Sequence, residues 1–259
     1  MKIENIILVA DDHPVNRKVM GLLLDSLDLK AEFVCDGFEV LKAAESSTYS
    51  LILMDLMMPK MDGFQASFGI RKNEFNNTRR TPIIACTAMD IDKIVDRCIH
   101  SGIDDYLGKP FNVELLKQKI GYWLNPNTNL QALTNVEASL VKIQQQNESI
   151  KQNDSNMLFG LRQLDDVMQL FLTVTETLLD QLETAIAQQD DVVVRHMAHE
   201  IKGSSFAVSA QEMAVLCLEM ENAGESKNWS EVQKLYAALG LAFARVRQFS
   251  NDRKTLRAS

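Results

Sequence analysis

The sequence predicts an α/β domain with a doubly wound, five-stranded parallel sheet, followed by an all-α domain built as an antiparallel four-helix bundle. Residues 1–124 alternate five short apolar runs with helical patterns, and residues 125–157 are polar. Residues 158–259 contain only long amphipathic patterns. Alternating strands and helices are typical of a parallel sheet covered by helices on both faces. Consecutive amphipathic helices with short connections are typical of a bundle.

The bulk composition describes an acidic globular protein. The chain has 259 residues, a net charge of −8, 46% hydrophobic residues and 24% charged residues. This acidity gives no indication of a large basic surface for nucleic acid. The first apolar run is too short for a signal peptide or a membrane span. The four cysteines form no C-x-x-C pair, which favours a reducing compartment. We therefore expect a cytoplasmic protein without membrane insertion, and the initial Met favours a free-standing protein over a piece of a longer one.

The strands of the first domain are predicted from short apolar runs bounded by polar or turn residues. These runs are Ile6–Ala10, Ala31–Val34, Leu51–Met54, Pro82–Cys86 and Asp105–Leu107. Helical patterns lie between them, for example at Val15–Leu27 and Asn112–Leu124. In such sheets the ligand crevice lies at the carboxyl ends of the strands.

The segment 125–157 separates the two domains. It contains twelve Asn or Gln residues, which is typical of an interdomain linker. Apolar residues at helical spacing from Leu130 to Ile143 predict that the linker is partly helical. The helices of the second domain are then predicted at Asp166–Gln188, Asp191–Val208, Ala210–Ala223 and Glu231–Phe249. Two capping boxes, which start at Ser209 and Ser230, predict the starts of the last two helices.

Three acids follow two of the predicted strands and form a candidate metal site. Asp11 and Asp12 end the first strand, and Asp55 ends the third. Three unpaired carboxylates in one crevice repel each other, and Mg²⁺ is the natural counter-ion for oxygen ligands. Thr87 and Lys109 end the fourth and fifth strands and add a hydroxyl and a fixed positive charge. This combination suits phosphoryl transfer.

The segments ILVADDH, LILMDLMMPKMDG, IIACTA and DDYLGKPF resemble the receiver domain of two-component response regulators. The resemblance implies a flavodoxin-like fold with Asp55 as the phosphoacceptor. It further implies that Asp12 binds Mg²⁺ directly, that Asp11 binds it through water, and that Met57 offers its backbone carbonyl.

The same resemblance assigns roles to the last two strand ends. Thr87 and Lys109 are implied to hold the phosphoryl oxygens, and Lys109–Pro110 is the family's cis peptide position. Tyr106 occupies the family's aromatic switch position. A half-buried aromatic that packs on the last helix is the simpler structural interpretation, and both interpretations can hold together. His13 is expected at the pocket rim.

Two methionines bear on how the pocket reacts with water. Met57 and Met89 are apolar at positions that water must pass, so we expect slow self-hydrolysis of an aspartyl phosphate. A phosphatase of the haloacid dehalogenase type needs a second acid two residues after the nucleophile. Met57 occupies that position, so we set this alternative aside.

A helical wheel separates His199 from the buried side of its helix. With ~100° per residue, an apolar stripe lies opposite His199. The stripe consists of Val194, Met197, Ile201, Ser205 and Val208. Lys202 and Gly203 fall on the side of His199, which we expect to face solvent. The lysine would offset phosphoryl charge, and the glycine would let a partner approach closely.

Two rival interpretations of this helix are weaker. A metal pair of His196 and His199 needs more ligands, and Arg195 and Lys202 would repel a cation. A catalytic dyad lacks a nucleophile, because Ser204 and Ser205 point towards the buried side and suit packing and helix bonding.

The segment AHEIKGSS, within four helices and before LCLEMENAG, resembles a histidine phosphotransfer (HPt) domain. The resemblance implies that His199 is the phosphoacceptor and that Lys202 and Gly203 support it. The family often has glycine ten residues after the histidine, where this chain has Ser209. Because Ser209 can cap the next helix, we expect little functional loss.

The combination predicts a phosphorelay intermediate without an ATP-binding kinase domain. A sensor histidine kinase would donate to Asp55, and His199 would carry phosphate to or from a receiver, its own or that of a downstream response regulator. The alternative is a binding module whose helical domain sequesters a partner when Asp55 is phosphorylated. A transcription factor is disfavoured because no helix carries the required cluster of basic residues.

Overall fold

The computed structural model describes residues 5–74, 80–88, 94–124 and 161–258. The chain divides into two compact units, Met1–Leu158 and Phe159–Ser259. The predicted linker, residues 125–157, lies outside the described residues. No helix of the described part is both long and apolar enough to cross a membrane.

The first unit is a five-stranded parallel sheet with the strand order β2-β1-β3-β4-β5. The strands are β1 Ile6–Ala10, β2 Lys30–Val34, β3 Leu51–Asp55, β4 Ile83–Thr87 and β5 Asp105–Gly108. The helices are α1 Pro14–Ser26, α2 Gly37–Ser46, α3 Gly63–Glu74, α4 Val95–Ser101 and α5 Val113–Leu124. This is the flavodoxin-like order of a doubly wound sheet, so the predicted fold class is confirmed.

The burial of the strands explains why their apolar runs were easy to recognise. Every residue of β3 and β4 is buried, as expected for central parallel strands covered on both faces. Strand β2 lies at the edge and tolerates polar residues such as Lys30 and Glu32. Each strand begins and ends within one residue of its prediction.

The second unit consists of α6 Leu161–Gln188, α7 Asp191–Ala207, α8 Gln211–Glu225 and α9 Trp229–Ala258. Two or three residues join consecutive helices, which makes neighbouring helices antiparallel. Their apolar faces form one core, which includes the buried side chains of Phe171, Leu182, Ile201, Met213 and Leu239. The predicted four-helix bundle is confirmed. Helix α6 begins at Leu161 rather than Asp166, and α9 ends at Ala258 rather than Phe249.

Both predicted capping boxes are wrong. Ser209 has φ 61 and lies in the left-handed region, while Ala210 precedes α8 without a side-chain cap. Helix α9 begins one residue before Ser230, because Asn228 supplies the cap and its Oδ1 accepts from the Glu231 N–H at 3.3 Å. The left-handed conformation at Ser209 explains why glycine suits this junction, since glycine adopts it without steric cost.

Candidate functional site

Three carboxylates meet at the carboxyl ends of β1 and β3. Ala10 pairs with Met54 in the sheet register, so the residues that follow, Asp11 and Asp55, become neighbours. Asp11, Asp12 and Asp55 each offer an oxygen, and these atoms lie within 4.8 Å of one another. The structure thus brings together the three acids predicted from the sequence.

Lys109 joins two of these acids. Its Nζ donates to Asp11 Oδ2 at 2.7 Å and to Asp55 Oδ2 at 2.6 Å, and its side chain is only 4% exposed. Its main-chain N–H donates to the Thr87 carbonyl at 2.8 Å, and the Lys109–Pro110 peptide is cis as predicted. Burial lowers the pKa of Lys109, but the two adjacent carboxylates outweigh it and raise that pKa. Lys109 is therefore a permanent cation inside the pocket.

Asp55 is a buried carboxylate, and its charged neighbours shift its pKa in opposite directions. Burial raises its pKa to about 6, the positive charge of Lys109 opposes that rise, and the negative charge of Asp11 adds to it. Asp55 Oδ1 also accepts from the Met57 N–H at 3.1 Å. At neutral pH the carboxylate is ionised and therefore nucleophilic.

Gly63 explains the short loop that follows Asp55. A Cβ on Gly63 would lie 2.1 Å from the Asp55 carbonyl oxygen and 2.9 Å from the Leu56 Cα. Only a residue without a side chain permits this approach. The glycine at the start of α3 thus permits the helix to begin directly against the end of β3.

The remaining predicted residues of the first unit lie around this pocket. Thr87 ends β4 and is buried. Tyr106 is only 4% exposed, so it is more deeply buried than the half-buried aromatic of the packing interpretation. Met57 is 37% exposed, and Met89 lies outside the described residues.

The surroundings of Tyr106 include an ionic network that the sequence analysis missed. The Lys119 Nζ lies 5.4 Å from the centroid of the Tyr106 ring and donates to Asp105 Oδ1 at 2.6 Å. Trp123 Nε1 donates to Asp105 Oδ2 at 3.0 Å. Helix α5 is therefore attached by two side chains to the residue that precedes Tyr106.

His13 is not a rim residue, and this expectation is corrected. Its side chain is 2% exposed and caps α1, since its Nδ1 accepts from the Val15 N–H at 3.3 Å. Burial lowers the pKa of His13 to about 4, so the ring is neutral. Two further pocket residues were missed: Asn16 Nδ2 donates to Asp11 Oδ1 at 3.1 Å, and Arg17 contacts the main chain of the loop.

In the second unit, His199 meets a carboxylate that the sequence analysis did not identify. His199 Nδ1 lies 3.0 Å from Glu221 Oε1, and Lys202 Nζ donates to Glu221 Oε2 at 2.6 Å. Burial raises the pKa of Glu221, but the bonds from His199 and Lys202 outweigh burial and bring that pKa below its usual value. A carboxylate accepts only, so Nδ1 of His199 is the donor, and a neutral ring then has its lone pair on Nε2.

The expected exposure of this helix face is partly wrong. The His199 side chain is 17% exposed, whereas the Lys202 side chain is only 4% exposed and Gly203 is buried. Helix α8 covers this side of α7 and supplies Glu221. Lys202 therefore reaches His199 only through that carboxylate, and Gly203 does not present an open surface.

The other polar residues singled out on α7 behave as predicted, apart from Ser205. His196 Nε2 lies 3.2 Å from Glu200 Oε1, and its side chain is 39% exposed. Ser204 Oγ bonds to the helix carbonyls of Glu200 and Ile201. Ser205 is buried as predicted, but its Oγ has no hydrogen-bond partner among the described residues, so the helix bonding expected of it is wrong. Among the described residues, Asp11, Asp12 and Asp55 form the group whose ligand atoms lie close enough together to hold a metal ion. His196 and His199 do not belong to that group.

Comparisons with known families decide the identity of both units. The family model for the response regulator receiver domain matches residues 7–121, and that for the HPt domain matches residues 166–249. The chain contains a receiver domain and an HPt domain. The receiver match includes Asp11, Asp12, Asp55 and Lys109, and the HPt match includes His199. The presence of both domains supports a phosphorelay role.

The chain is also similar to parts of larger sensor kinases. The peroxide stress-activated histidine kinase mak1 of Schizosaccharomyces pombe is 39% identical over 123 residues, which cover 46% of this chain and 8% of mak1. The signal transduction histidine-protein kinase BarA of Shigella flexneri is 26% identical over 229 residues, 85% of this chain and 24% of BarA. The chain thus spans a small part of the curated relatives it matches.

Among solved structures, the receiver domain is similar to that of sensor histidine kinase PA1611 from Pseudomonas aeruginosa, which holds a magnesium ion in its active-site cleft. The identity is 38%, the alignment covers 46% of this chain and 97% of that one, and the TM-score is 0.43.

Proposed function

We propose that the chain is a phosphorelay intermediate. Asp55 accepts a phosphoryl group from the phosphohistidine of a sensor histidine kinase, and His199 carries phosphate to or from a receiver. The observation that carries this proposal is the presence of two unlike acceptors in one chain, each with a built electrostatic environment. The carboxylate of Asp55 touches a buried cation, and the imidazole of His199 touches a half-buried carboxylate.

On the receiver domain, the pocket prepares the acceptor before a donor arrives. Lys109 places one positive charge against Asp55 and Asp11, and transfer adds phosphoryl oxygens that need further positive charge. We assign Thr87 the role of a hydroxyl donor to those oxygens. Tyr106 is assigned as the residue that changes position when Asp55 is phosphorylated.

The three carboxylates fit a hard divalent cation, because all their ligand atoms are oxygens within 4.8 Å of one another. We propose that Asp12 and Asp55 ligate Mg²⁺ directly, with Asp11 acting through water and Met57 through its carbonyl. When bound, the ion neutralises negative charge on the transferring phosphoryl group.

On the HPt domain, Glu221 determines which nitrogen of His199 reacts. It holds the proton on His199 Nδ1, so the Nε2 lone pair attacks phosphorus. The N–P bond forms as the P–O bond to a receiver aspartate breaks, and the aspartate leaves as a carboxylate. The reverse reaction follows the same path, because acyl phosphates and phosphohistidines are both high in energy. Lys202 reaches the acceptor through Glu221 and positions it.

A transfer assay with single variants tests this proposal. The full chain is incubated with a phosphorylated sensor kinase labelled from ATP, and the label is followed on wild type, Asp55→Asn and His199→Gln. The expected result is loss of the alkali-labile acyl phosphate in Asp55→Asn and of the acid-labile phosphohistidine in His199→Gln. If His199→Gln leaves every transfer intact, the relay is wrong, and the binding module becomes the better explanation.

A further inference from the structure

The loop between β1 and α1 holds two of the three clustered acids, and the Asp11 carboxylate is fixed directly by its neighbours. Asp11 Oδ1 accepts from the His13 N–H at 2.9 Å and from Asn16 Nδ2 at 3.1 Å. Its other oxygen accepts from Lys109 at 2.7 Å. Three donors therefore determine where the Asp11 carboxylate points.

The main chain around Asp12 is held by a different residue, Arg17. One guanidinium nitrogen, Nη1, donates to the Asp11 carbonyl at 2.6 Å and to the Asp12 carbonyl at 2.7 Å. These two carbonyls lie on either side of the Asp12 Cα. Because peptide units are planar, fixing both carbonyls restricts the two backbone dihedrals of Asp12 and thereby the direction of its side chain.

Arg17 makes this contact from a rigid support. It lies in the first turn of α1, where its main-chain N–H donates to the His13 carbonyl at 3.1 Å. Val15 and Val19, two positions to either side, are buried, and α1 packs against β1 and β2. The guanidinium is thus held at a defined place relative to β1, and the two N–H groups of Nη1 serve two adjacent acceptors.

We infer that Arg17 is a positioning residue that sets the direction of the Asp12 carboxylate towards the bound cation. The inference rests on the metal site in the proposed function. Arg17 would act behind the ligands, since it contacts their carbonyls rather than the ion. Its charge has the opposite effect, because a guanidinium beside a cation site repels the cation. Arg17→Gln should therefore lower the metal affinity if orientation of Asp12 dominates, and raise it if charge repulsion dominates.

Calorimetric titration of the full chain with Mg²⁺ alone separates these effects. Removing a residue that orients metal ligands typically weakens metal binding about tenfold or more, so we expect this loss for Arg17→Gln. The matched control is Lys18→Gln, which removes the same charge from an exposed neighbour on α1 and should change the affinity less than about twofold. Unchanged or tighter binding by Arg17→Gln would overturn the inference.

A second variant covers the case in which Arg17→Gln does not fold. Arg17→Lys keeps the charge, but its side chain is shorter and its ammonium should not reach both carbonyls, so it should also bind Mg²⁺ more weakly than wild type. Thermal unfolding without metal verifies that the variants remain folded. If Arg17→Gln does not fold, the result for Arg17→Lys decides, and an Mg²⁺ affinity equal to that of wild type contradicts the inference. A wild-type chain that binds no Mg²⁺ also contradicts it. Neither result bears on the His199→Gln transfer assay, so failure of the relay remains distinguishable.

Discussion

The two candidate acceptors are surrounded by opposite charges. The Asp55 carboxylate ends a strand, is 8% exposed, and touches the Lys109 ammonium at 2.6 Å. His199 lies in the middle of a helix, is 17% exposed, and touches the Glu221 carboxylate at 3.0 Å. The cation of the second site, Lys202, lies on the far side of that carboxylate.

The difference follows from what each acceptor needs in order to react. An aspartate is already an anion, so its obstacle is repulsion from other anions, and a fixed cation removes that obstacle. An imidazole is neutral, so its obstacle is that either nitrogen can carry the proton, and a fixed carboxylate selects one. In the proposed relay, a phosphoryl group would therefore pass between acceptors with reversed counter-charges.

Among the substitutions that test this difference, replacement of Lys109 should change the free energy of unfolding most. Lys109→Met leaves Asp11 and Asp55 without their buried partner, and loss of one member of a buried ion pair costs about 3 kcal/mol of unfolding free energy. The loss should shrink between pH 7 and pH 5, because the unpaired carboxylates take up protons. Urea unfolding at the two pH values measures both effects. The control Lys60→Met removes an ion pair with Asp36 in which the lysine side chain is 68% exposed. Because solvent screens that charge, the control should cost less than about 1 kcal/mol.

Removing Glu221 tests the second site in the same way. Glu221→Ala deletes the acceptor of both His199 and Lys202, and loss of bonds to a charged group costs about 2 kcal/mol. It should also let the His199 proton move between the two nitrogens, which nitrogen chemical shifts in NMR spectra report. The exposed neighbour Glu219 provides the control, since Glu219→Ala should change neither quantity. A His199 ring that keeps its proton on Nδ1 in Glu221→Ala would contradict the role of Glu221.

The two domains should respond to pH in opposite directions. The pKa of Asp55 is raised to about 6, so the energetic penalty of its charge is present above that pH and is relieved as pH falls through it. The pKa of Glu221 is lowered, so its stabilisation is present above its usual value of about 4.3 and is lost as pH falls through the lowered pKa. Carboxyl carbon shifts of the metal-free chain should show the Asp55 midpoint near pH 6. A midpoint at or below about 3.9, the ordinary value, would contradict the burial argument.

The smallest expected effect concerns the junction between α7 and α8. Ser209→Gly should stabilise the HPt domain by about 0.5–1 kcal/mol, because glycine has no Cβ penalty at φ 61. Ser209→Ala is the matched control and should give no gain, since alanine has the same Cβ. Thermal unfolding monitored by circular dichroism measures both variants. Equal stability of the glycine and alanine variants would show that the backbone at this position carries little strain.

The receiver pocket was predictable because its residues follow strands. Apolar runs locate the strands, and parallel strands bring their carboxyl ends to one edge. Asp11, Asp55 and Lys109 could therefore be placed together although Asp11 and Lys109 lie 98 positions apart. Side chains that act on the main chain, such as Arg17, leave no such pattern.

The HPt site was only half predictable, because one helical wheel contains no information about neighbouring helices. The wheel showed that His199 avoids the apolar stripe, but it placed Lys202 in solvent. A signal existed on the other helix: Glu221 follows Cys217 by four residues and precedes Gly224 by three, and both of those are buried. A charge that adjoins an apolar stripe needs a partner, and that requirement points to His199 and Lys202.

The bond from Trp123 to Asp105 has an optical consequence. The chain has two tryptophans, and each domain contains one of them. Trp123 is 6% exposed and hydrogen-bonded beside Tyr106, whereas Trp229 begins α9 at intermediate burial. Replacing either indole with phenylalanine leaves a label-free fluorophore in one domain alone. Emission from Trp123 would then report ligand-induced change around the receiver pocket in real time, without interference from the helical bundle.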